Sequence, residues 1–285
     1  MTEVEKRELP GHIAAALAGA GGNTDSAGQS WEGRDLSGSG NPLHNFDQDD
    51  GTADAAYTEA LSALVRGTGG EVDVVRALAT ARVFVPIVAQ LAEEEAGAHG
   101  LSADKQADMA LVTVQAPDGR RALPVFTSIA ALEAWHPEAR PVAVYAARAA
   151  LSAVAEKAEL LVVDPGAELT FVVRRPGMWA LAKQQEWVPS YKDEWLTGIV
   201  SQAVAVEADI SGVGLAPGGG IGAKTAAGQI VAGGGAGPEL RLVLKVREGL
   251  GRTELQALAA RLQRRLGGDP DFMERVDSLE ISFTR

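Results

Sequence analysis

The sequence predicts an α+β protein, of mixed α/β type, in which two modules follow a polar leader. Short runs of β-branched and aliphatic residues alternate with segments of helical periodicity, which is typical of strands and helices that follow each other along the chain. With 285 residues, 46% of them hydrophobic, the chain can bury more than one core. We therefore predict a flexible acidic leader over residues 1–54, an N-terminal domain over 55–189 with a mixed sheet and flanking helices, and a smaller C-terminal domain over 190–285 with the element order αββαβ.

The predicted leader is poor in apolar residues. Residues 19–54 consist largely of Gly, Ser, Asn and Asp, and such a composition cannot offset the entropy of ordering the chain. The first 80 residues hold 13 acidic and 5 basic side chains, so most of the net charge of −12 lies at this end. Trp31 and Arg34 are an aromatic residue and a cation within the polar arm, and we expect them to dock onto the folded body or onto a partner.

Behind the leader, periodicity and turn residues predict the elements one by one. A first helix begins at Asp54 and ends at the glycines of 67–70, because glycine is the preferred residue just after a helix. Pro86 predicts that the strand over 82–89 lies at a sheet edge or carries a bulge, since proline lacks the amide that a central strand donates. The other predicted helices cover 71–81, 128–135, 147–157, 195–204 and 253–266, and one begins at 176. The other predicted strands cover 141–145, 160–163, 169–173, 206–215, 240–246 and 279–283.

The stretch 109–127 has the clearest pattern. Two β-rich runs, 109–115 and 121–127, flank a Pro-Asp-Gly sequence at 117–119, and this predicts a hairpin. Turns are also predicted at Asp118 and Asp164, each side chain bonding to its own backbone. The hairpin and the helix after it are expected to share one core, formed by Leu111, Val114, Val125, Phe126, Leu132 and Trp135.

The same stretch resembles a known family. The strings PDGRRALPVFTS, ALEAW, EARPV and LLVVDPG are similar to those of the SseB (enhanced serine sensitivity) family in its actinobacterial form, and they occur in the family's order. Trp31 with Arg34, and the acidic run from Asp49 to Asp54, resemble the leader of actinobacterial members. Lys105 and Asp108 resemble a lysine and an acid that precede the same strand in the family. The resemblance covers residues 31–195 well and implies the fold above, but it brings no established biochemical activity.

Motifs that would indicate catalysis or cofactor binding are incomplete or absent in this sequence. The segment 218–225, GGGIGAKT, nearly spells a phosphate-binding loop, but Ala223 stands where glycine is needed before the lysine. There is no cysteine, the four histidines show no metal-ligand spacing, and no G-x-S-x-G sequence occurs. We therefore expect no catalytic residues, no metal and no cofactor. The arginines of the last predicted helix, Arg261, Arg264 and Arg265, are interpreted as a solvated face rather than an anion site.

The candidate functional surface consists of polar and aromatic residues in predicted loops, where binding residues concentrate. Its members are Trp31, Arg34, Asp50, Lys105, Asp108 and Arg140.

The hypothesis that follows is a non-catalytic cytoplasmic binding or adaptor protein with a protein partner. The alternative is a regulator or enzyme that acts on a small metabolite, linked to amino-acid metabolism as the family name implies. The net charge of −12 disfavours nucleic acid and anionic membrane as ligands. The cytoplasmic location is expected because cysteine is absent and the N-terminus lacks the basic, apolar pattern of a secretory signal. A concave pocket with a strongly perturbed titratable residue would favour the alternative, and an apolar groove would favour protein binding.

Overall fold

The computed structural model describes residues 46, 48–91 and 107–285. Contacts divide the chain into two compact units, Met1–Asp50 and Gly51–Arg285. Within the described part of the first unit, the Asp49 amide donates to the Phe46 carbonyl at 3.0 Å, which closes a turn. The architecture below is that of the second unit.

The second unit contains both helices and sheets, and the predicted α+β class is confirmed. In the described residues the helices are α1 (Ala55–Arg66), α2 (Glu71–Thr80), α3 (Ile129–Trp135), α4 (Ala146–Ala155), α5 (Arg175–Lys183), α6 (Glu194–Val204), α7 (Arg252–Gly267) and α8 (Pro270–Arg275), with a 3₁₀ turn at Ser190–Lys192. The strands are β1 (Arg82–Leu91), β2 (Ala107–Leu111), β3 (Val114–Gln115), β4 (Arg121–Val125), β5 (Arg140–Tyr145), β6 (Leu160–Val163), β7 (Phe171–Arg174), β8 (Ile210–Pro217), β9 (Gly222–Lys224), β10 (Ile230–Gly234), β11 (Leu240–Val246) and β12 (Leu279–Thr284).

The strands of the described residues form four sheets. One has the order β3-β4-β6-β7, with β4 and β6 parallel and the other pairs antiparallel, so it is a mixed sheet. A second has the order β2-β1-β5 and is antiparallel. The third, β12-β11-β8, joins a parallel and an antiparallel pair, and the fourth is the β10-β9 hairpin. In the C-terminal part, α6, β8, β11, α7 and β12 follow the predicted αββαβ order, with the β9-β10 hairpin inserted and α8 added.

Local sequence explains where the first helices begin and end. The Asp54 carboxylate accepts from the Tyr57 amide at 3.0 Å and so caps α1. The helix ends at Gly67, whose φ of 73° is readily adopted only by a residue without a Cβ atom. The Ser128 hydroxyl caps α3 in the same way, by accepting from the Ala131 amide at 3.1 Å.

The predicted hairpin is present, and the turn that closes it is built as expected. Strands β3 and β4 pair with Val114 opposite Ala122. The Asp118 carboxylate accepts from the Arg120 amide two residues on, at 3.1 Å. An ion pair between the same two side chains, at 2.7 Å, lowers the pKa of Asp118 below its ordinary value.

The prediction that β1 lies at a sheet edge or carries a bulge is wrong. Its register with both neighbouring strands shows no bulge. Strand β1 lies between β2 and β5, at the centre of its sheet. Its proline is tolerated because Pro86 lies opposite Pro141 of β5, a pair in which neither residue has an amide to donate. On the other side, the ladder with β2 begins only at Ile87. Pro86 therefore lies at a position where neither neighbouring strand requires an amide from β1.

The predicted single core under the hairpin is divided between two clusters. Val125 belongs to a large cluster between the mixed sheet and helices α1, α2, α4 and α5. Its neighbour Phe126 points to a smaller cluster with Phe84 and Leu132, as the period of two along an extended chain requires. Trp135 packs on this smaller cluster, 5.2 Å from the Phe126 ring, but is only half-buried.

A further cluster fills the C-terminal part. Alternate residues of β11 are buried beneath α6, α7 and α8, with Leu258 and Leu262 of α7 in contact with the sheet. Two of the three arginines that were predicted to form a solvated face also make contacts within the fold. Arg261 and Arg265 both donate to the Glu207 carboxylate, at 2.8 and 3.0 Å, and so connect α7 to the chain that follows α6.

The segment 218–225 does not form a phosphate-binding loop. The amides of Gly218 and Gly220 donate to the carbonyls of Glu239 and Pro238, at 2.7 and 3.1 Å. The chain then continues into the β9-β10 hairpin and not into a helix. Amides that are already bonded within the fold are not available to a phosphate.

A buried polar network joins residues on both sides of position 190. The Tyr191 hydroxyl donates to Glu71 Oε1 at 3.1 Å, the Gly234 amide donates to Glu71 Oε2 at 3.2 Å, and Arg174 Nη1 lies 3.6 Å from the same Oε2. Glu71 and Arg174 are 3% and 2% exposed. Gly234 has a φ of 72°, and any side chain there would collide with the Phe171 ring, so only glycine fits beside Glu71.

A second buried carboxylate extends the network. Glu239 accepts from the Ser190 amide at 3.3 Å and from the Asp277 amide at 2.9 Å. Burial raises the pKa of Glu239 above its ordinary value. Burial and the neighbouring Glu71 charge likewise raise the pKa of Tyr191. The domain boundary at 189/190 stays a prediction, and these contacts cross it.

Candidate binding site

A groove lies between helices α2, α4 and α5 and has a volume of about 910 Å³. We call it the helical groove. It is lined by Val72, Val75, Arg76, Ala79, Thr80, Tyr145, Ala147, Arg148, Leu151, Leu181, Ala182, Gln184, Gln185, Glu186 and Trp187.

Helical periodicity explains how these residues come together. On α2, Val72, Val75, Arg76 and Ala79 follow the spacing i, i+3, i+4, i+7 and so form one stripe. Helix α4 contributes Leu151 one turn after Ala147. The end of α5 and the connection over 184–187 close the third side.

The groove has a buried apolar floor and an exposed apolar wall. Val75, Leu181 and Trp187 are 4%, 2% and 8% exposed. Tyr145 and Leu151, in contrast, are 47% and 52% exposed. Two large apolar side chains therefore face solvent above an apolar floor, an arrangement that can take up apolar side chains from another molecule.

The polar groups at the rim do not converge on one point. Arg76 is bonded to Asp73 at 3.1 Å and to Glu186 at 3.2 Å. Arg148 is exposed and makes no ion pair or hydrogen bond within the part of the chain that the structure describes. No pair of groups that line this groove has the geometry of a nucleophile with its base.

A second, smaller groove of about 320 Å³ adjoins the first. We call it the tryptophan groove, because three tryptophans line it. Its residues are Pro176, Trp179, Ala180, Lys183, Gln185, Glu186, Trp187, Val188, Asp193, Trp195, Asp271, Glu274 and Arg275. The two grooves share Gln185, Glu186 and Trp187.

Ion pairs surround the tryptophan rings. Lys183 bonds to Glu274 at 2.9 Å, and Arg275 bonds to Asp193 at 2.7 Å. The hydrogen bond from Lys183 lowers the pKa of Glu274 below its ordinary value. Each of the two cations also lies over an indole ring. The groove thus combines aromatic faces with carboxylates.

A buried carboxylate with a raised pKa occurs away from both grooves. Asp164 adopts a φ of 49° and is 7% exposed. Its Oδ1 accepts from the Thr127 amide at 2.8 Å, and its Oδ2 accepts from the Thr127 hydroxyl at 2.7 Å. Burial raises the pKa of Asp164, and burial together with the Asp164 charge raises the pKa of Tyr57. Because both oxygens are bonded to Thr127, the carboxylate joins the chain that follows β4 to the chain that follows β6. These bonds take the place of the predicted bond from Asp164 to its own backbone.

The structure describes only part of the predicted candidate surface. Trp31, Arg34 and Lys105 lie outside the described residues. Asp50 is exposed in the first unit. The backbone of Asp108 lies in β2.

Asp108 and Arg140, the last two members of the predicted candidate surface, lie in one sheet. Asp108 pairs with Gln90 of β1, and Arg140 begins β5 opposite Ile87 of the same strand. Arg140 is exposed and is not among the residues that line either groove. The backbone register thus separates Asp108 and Arg140 by three positions of β1. Neither of the two grooves was predicted from the sequence.

The sequence nevertheless carried a signal for both grooves. Three tryptophans fall within residues 176–195, the segment in which a helix is predicted to begin at 176. In α4, Leu151 cannot lie on the same buried stripe as Ala149 and Ala153, which are fully buried. Large apolar residues outside the buried stripe of a helix indicate a surface that meets another molecule.

The described ranges contain neither a candidate metal site nor a candidate membrane span. No group of three or more His, Asp or Glu side chains there could hold a metal ion. No described helix is long and apolar enough to cross a membrane.

Part of the chain matches a known protein family. Residues 58–180 match the family described as SseB protein N-terminal domain. Neither a curated protein nor a solved structure matches the chain. The matched segment runs from α1 into α5 and so contains two walls of the helical groove and part of the third. It also contains the strings on which the resemblance was based. The chain therefore contains an SseB protein N-terminal domain over residues 58–180.

Proposed function

We propose that this protein is a non-catalytic binding or adaptor protein whose helical groove takes up an apolar segment of a partner protein. The partner is a protein, not nucleic acid or membrane, and the location is the cytoplasm. The net charge of −12 supports the exclusion of nucleic acid and anionic membrane, because both attract basic surfaces.

The exposure of Tyr145 and Leu151 carries the proposal. Side chains that are 47% and 52% exposed above a buried apolar floor leave apolar surface in water, and covering it is favourable by roughly 25 cal/mol for each Å². A groove between helices is a common receptor for the apolar side of a partner helix. The walls formed by α2 and α4 provide such a receptor.

The polar residues of the groove favour a protein over a small metabolite. A metabolite site fixes its ligand with a few polar groups directed to one point. Here Arg76 pairs with two exposed carboxylates, Asp73 and Glu186, and the remaining lining of α2 and α4 is largely apolar. The alternative, a regulator or enzyme for a small metabolite, therefore has less support.

The experiment is a quantitative affinity capture from native lysate with the wild type, Leu151→Glu and Val154→Glu. Val154 is a matched control, because it is 41% exposed on the same helix and does not line the groove. We expect a set of proteins to bind to the wild type and to Val154→Glu and to be lost with Leu151→Glu.

Metabolite analysis of the same purified samples tests the alternative. Both variants should unfold at wild-type temperatures, since glutamate is tolerated at exposed helical positions. A small molecule that is retained by all three proteins, with no protein lost on Leu151→Glu, would contradict the proposal and favour the metabolite function.

A further inference from the structure

We propose that the tryptophan groove binds a lysine or arginine side chain of the same partner segment whose apolar residues occupy the helical groove. The inference rests on the proposed function and deepens it, because it states the chemistry of the partner. The proposed partner is an amphipathic segment in which a basic residue adjoins the apolar residues.

The rings of this groove already hold cations of the chain itself. The Arg275 guanidinium lies 4.4 Å from the centre of the Trp195 ring, and Lys183 Nζ lies 5.6 Å from that of Trp179. At such distances the ring quadrupole attracts a positive charge. Trp195 is 43% exposed, so part of its surface remains available to a partner.

The charges that line the groove favour one more cation. Four carboxylates face two cations, and Lys183 and Arg275 are each bonded to one carboxylate. Of the two carboxylates that remain, Asp271 is exposed and has no ion pair within the described residues. An acidic side chain would meet repulsion here, and a basic one would find acceptors.

The other remaining carboxylate, Glu186, can exchange partners readily. Its bond to Arg76 is 3.2 Å long, but the two side chains are 74% and 60% exposed, and such a surface pair contributes little to stability. Glu186 lines both grooves. A segment that passes from the helical groove to the tryptophan groove therefore crosses this carboxylate.

The test uses the full-length protein and a displayed library of random dodecapeptides. Peptides are selected that bind to the wild type and not to Leu151→Glu. We expect apolar residues next to a lysine or arginine among them. One such lysine peptide and its Lys→Met version are then titrated calorimetrically against the wild type, the double variant Glu186→Gln/Asp271→Asn, and the control Glu194→Gln. Glu194 is an exposed carboxylate of α6 that lines neither groove.

The double variant should weaken binding of the lysine peptide about three- to tenfold and leave the Lys→Met peptide unchanged, as a coupled charge pair requires. Glu194→Gln should bind both peptides as the wild type does. Equal effects on the two peptides, or a selected sequence rich in acidic residues, would overturn the inference while the proposed function stands. If no peptide depends on Leu151, the proposed function itself fails, and the inference fails with it.

Discussion

At the scale of single residues, Asp164 has a titration behaviour that can be tested. Because burial raises its pKa, the native state binds the proton more tightly than the unfolded chain does. Its contribution to stability is therefore fully present below the unfolded pKa of about 3.9 and is lost as the pH rises through the higher folded value.

The variant Asp164→Asn should remove this pH dependence. Asparagine tolerates a positive φ and can still accept from the Thr127 amide. We expect the stability of Asp164→Asn relative to the wild type to increase from pH 4 to pH 7, as measured by urea unfolding. The control Asp118→Asn should show the opposite trend, because its carboxylate has a lowered pKa. A difference that is constant with pH would show that Asp164 is not held as described.

The sequence predicted a turn at Asp164 but not its partner. The pattern Asp-Pro-Gly is local, and the turn closes with the Ala167 amide on the Asp164 carbonyl at 3.1 Å. Thr127 lies 37 residues away and becomes a neighbour only through the parallel pairing of β4 and β6. Asp118, in contrast, bonds to an amide only two residues away, and its bond within the turn was therefore predicted correctly from local sequence.

At the scale of elements, helix α3 is anchored chiefly by Leu132. This residue is fully buried, whereas Trp135 is only half-buried. We expect Leu132→Ala to destabilise the protein by about 3 kcal/mol and Trp135→Ala by about 2 kcal/mol, since removal of a partly exposed side chain leaves a smaller cavity. Chemical denaturation of both variants checks the order. A larger loss for Trp135→Ala would show that α3 packs on its tryptophan.

Between elements, Glu207 connects α7 to the chain after α6. Hydrogen bonds from Arg261 and Arg265 lower the pKa of Glu207, so its contribution is present above the ordinary glutamate pKa and is lost as the pH falls through the folded value. Glu207→Gln should therefore be less stable than the wild type at pH 7, and the difference should shrink as the pH approaches 4. Thermal unfolding at several pH values measures this, and a difference that grows in acid would contradict the account.

Elements with strong local patterns were predictable, and those set by pairing were not. The caps at Asp54 and Ser128 and the hairpin turn follow from a few adjacent residues, and all are present. The central position of β1 depends on the coincidence of Pro86 with Pro141, which no local pattern indicates.

At the scale of the whole molecule, the buried network around Arg174 joins the two halves of the second unit. Arg174→Met should destabilise the protein by about 3–5 kcal/mol, because it leaves the buried Glu71 carboxylate without its cation. Adding Glu71→Gln should recover part of that loss, since the two substitutions are coupled. Equilibrium unfolding of the single and double variants tests the coupling, and additive losses would show that the pair is not an energetic unit.

The helical groove could not be predicted because its walls are distant in sequence. Val75, Leu151 and Trp187 each belong to a separate element, and each element alone shows only an amphipathic pattern. The predicted surface, in contrast, was drawn from exposed polar types in loops, such as Arg140, which lines neither groove. The chemistry of a concave surface depends on which helix faces meet, and that is decided by tertiary packing.

The most direct test of the proposed function is site-specific photocrosslinking at position 151. Benzoylphenylalanine would replace Leu151 in one variant and Val206 in another. Val206 is 69% exposed and lines neither groove. If the helical groove binds a partner protein, illumination in cells should join that protein to position 151 and not to position 206. Absence of a product at position 151, or the same product at both positions, would contradict the account.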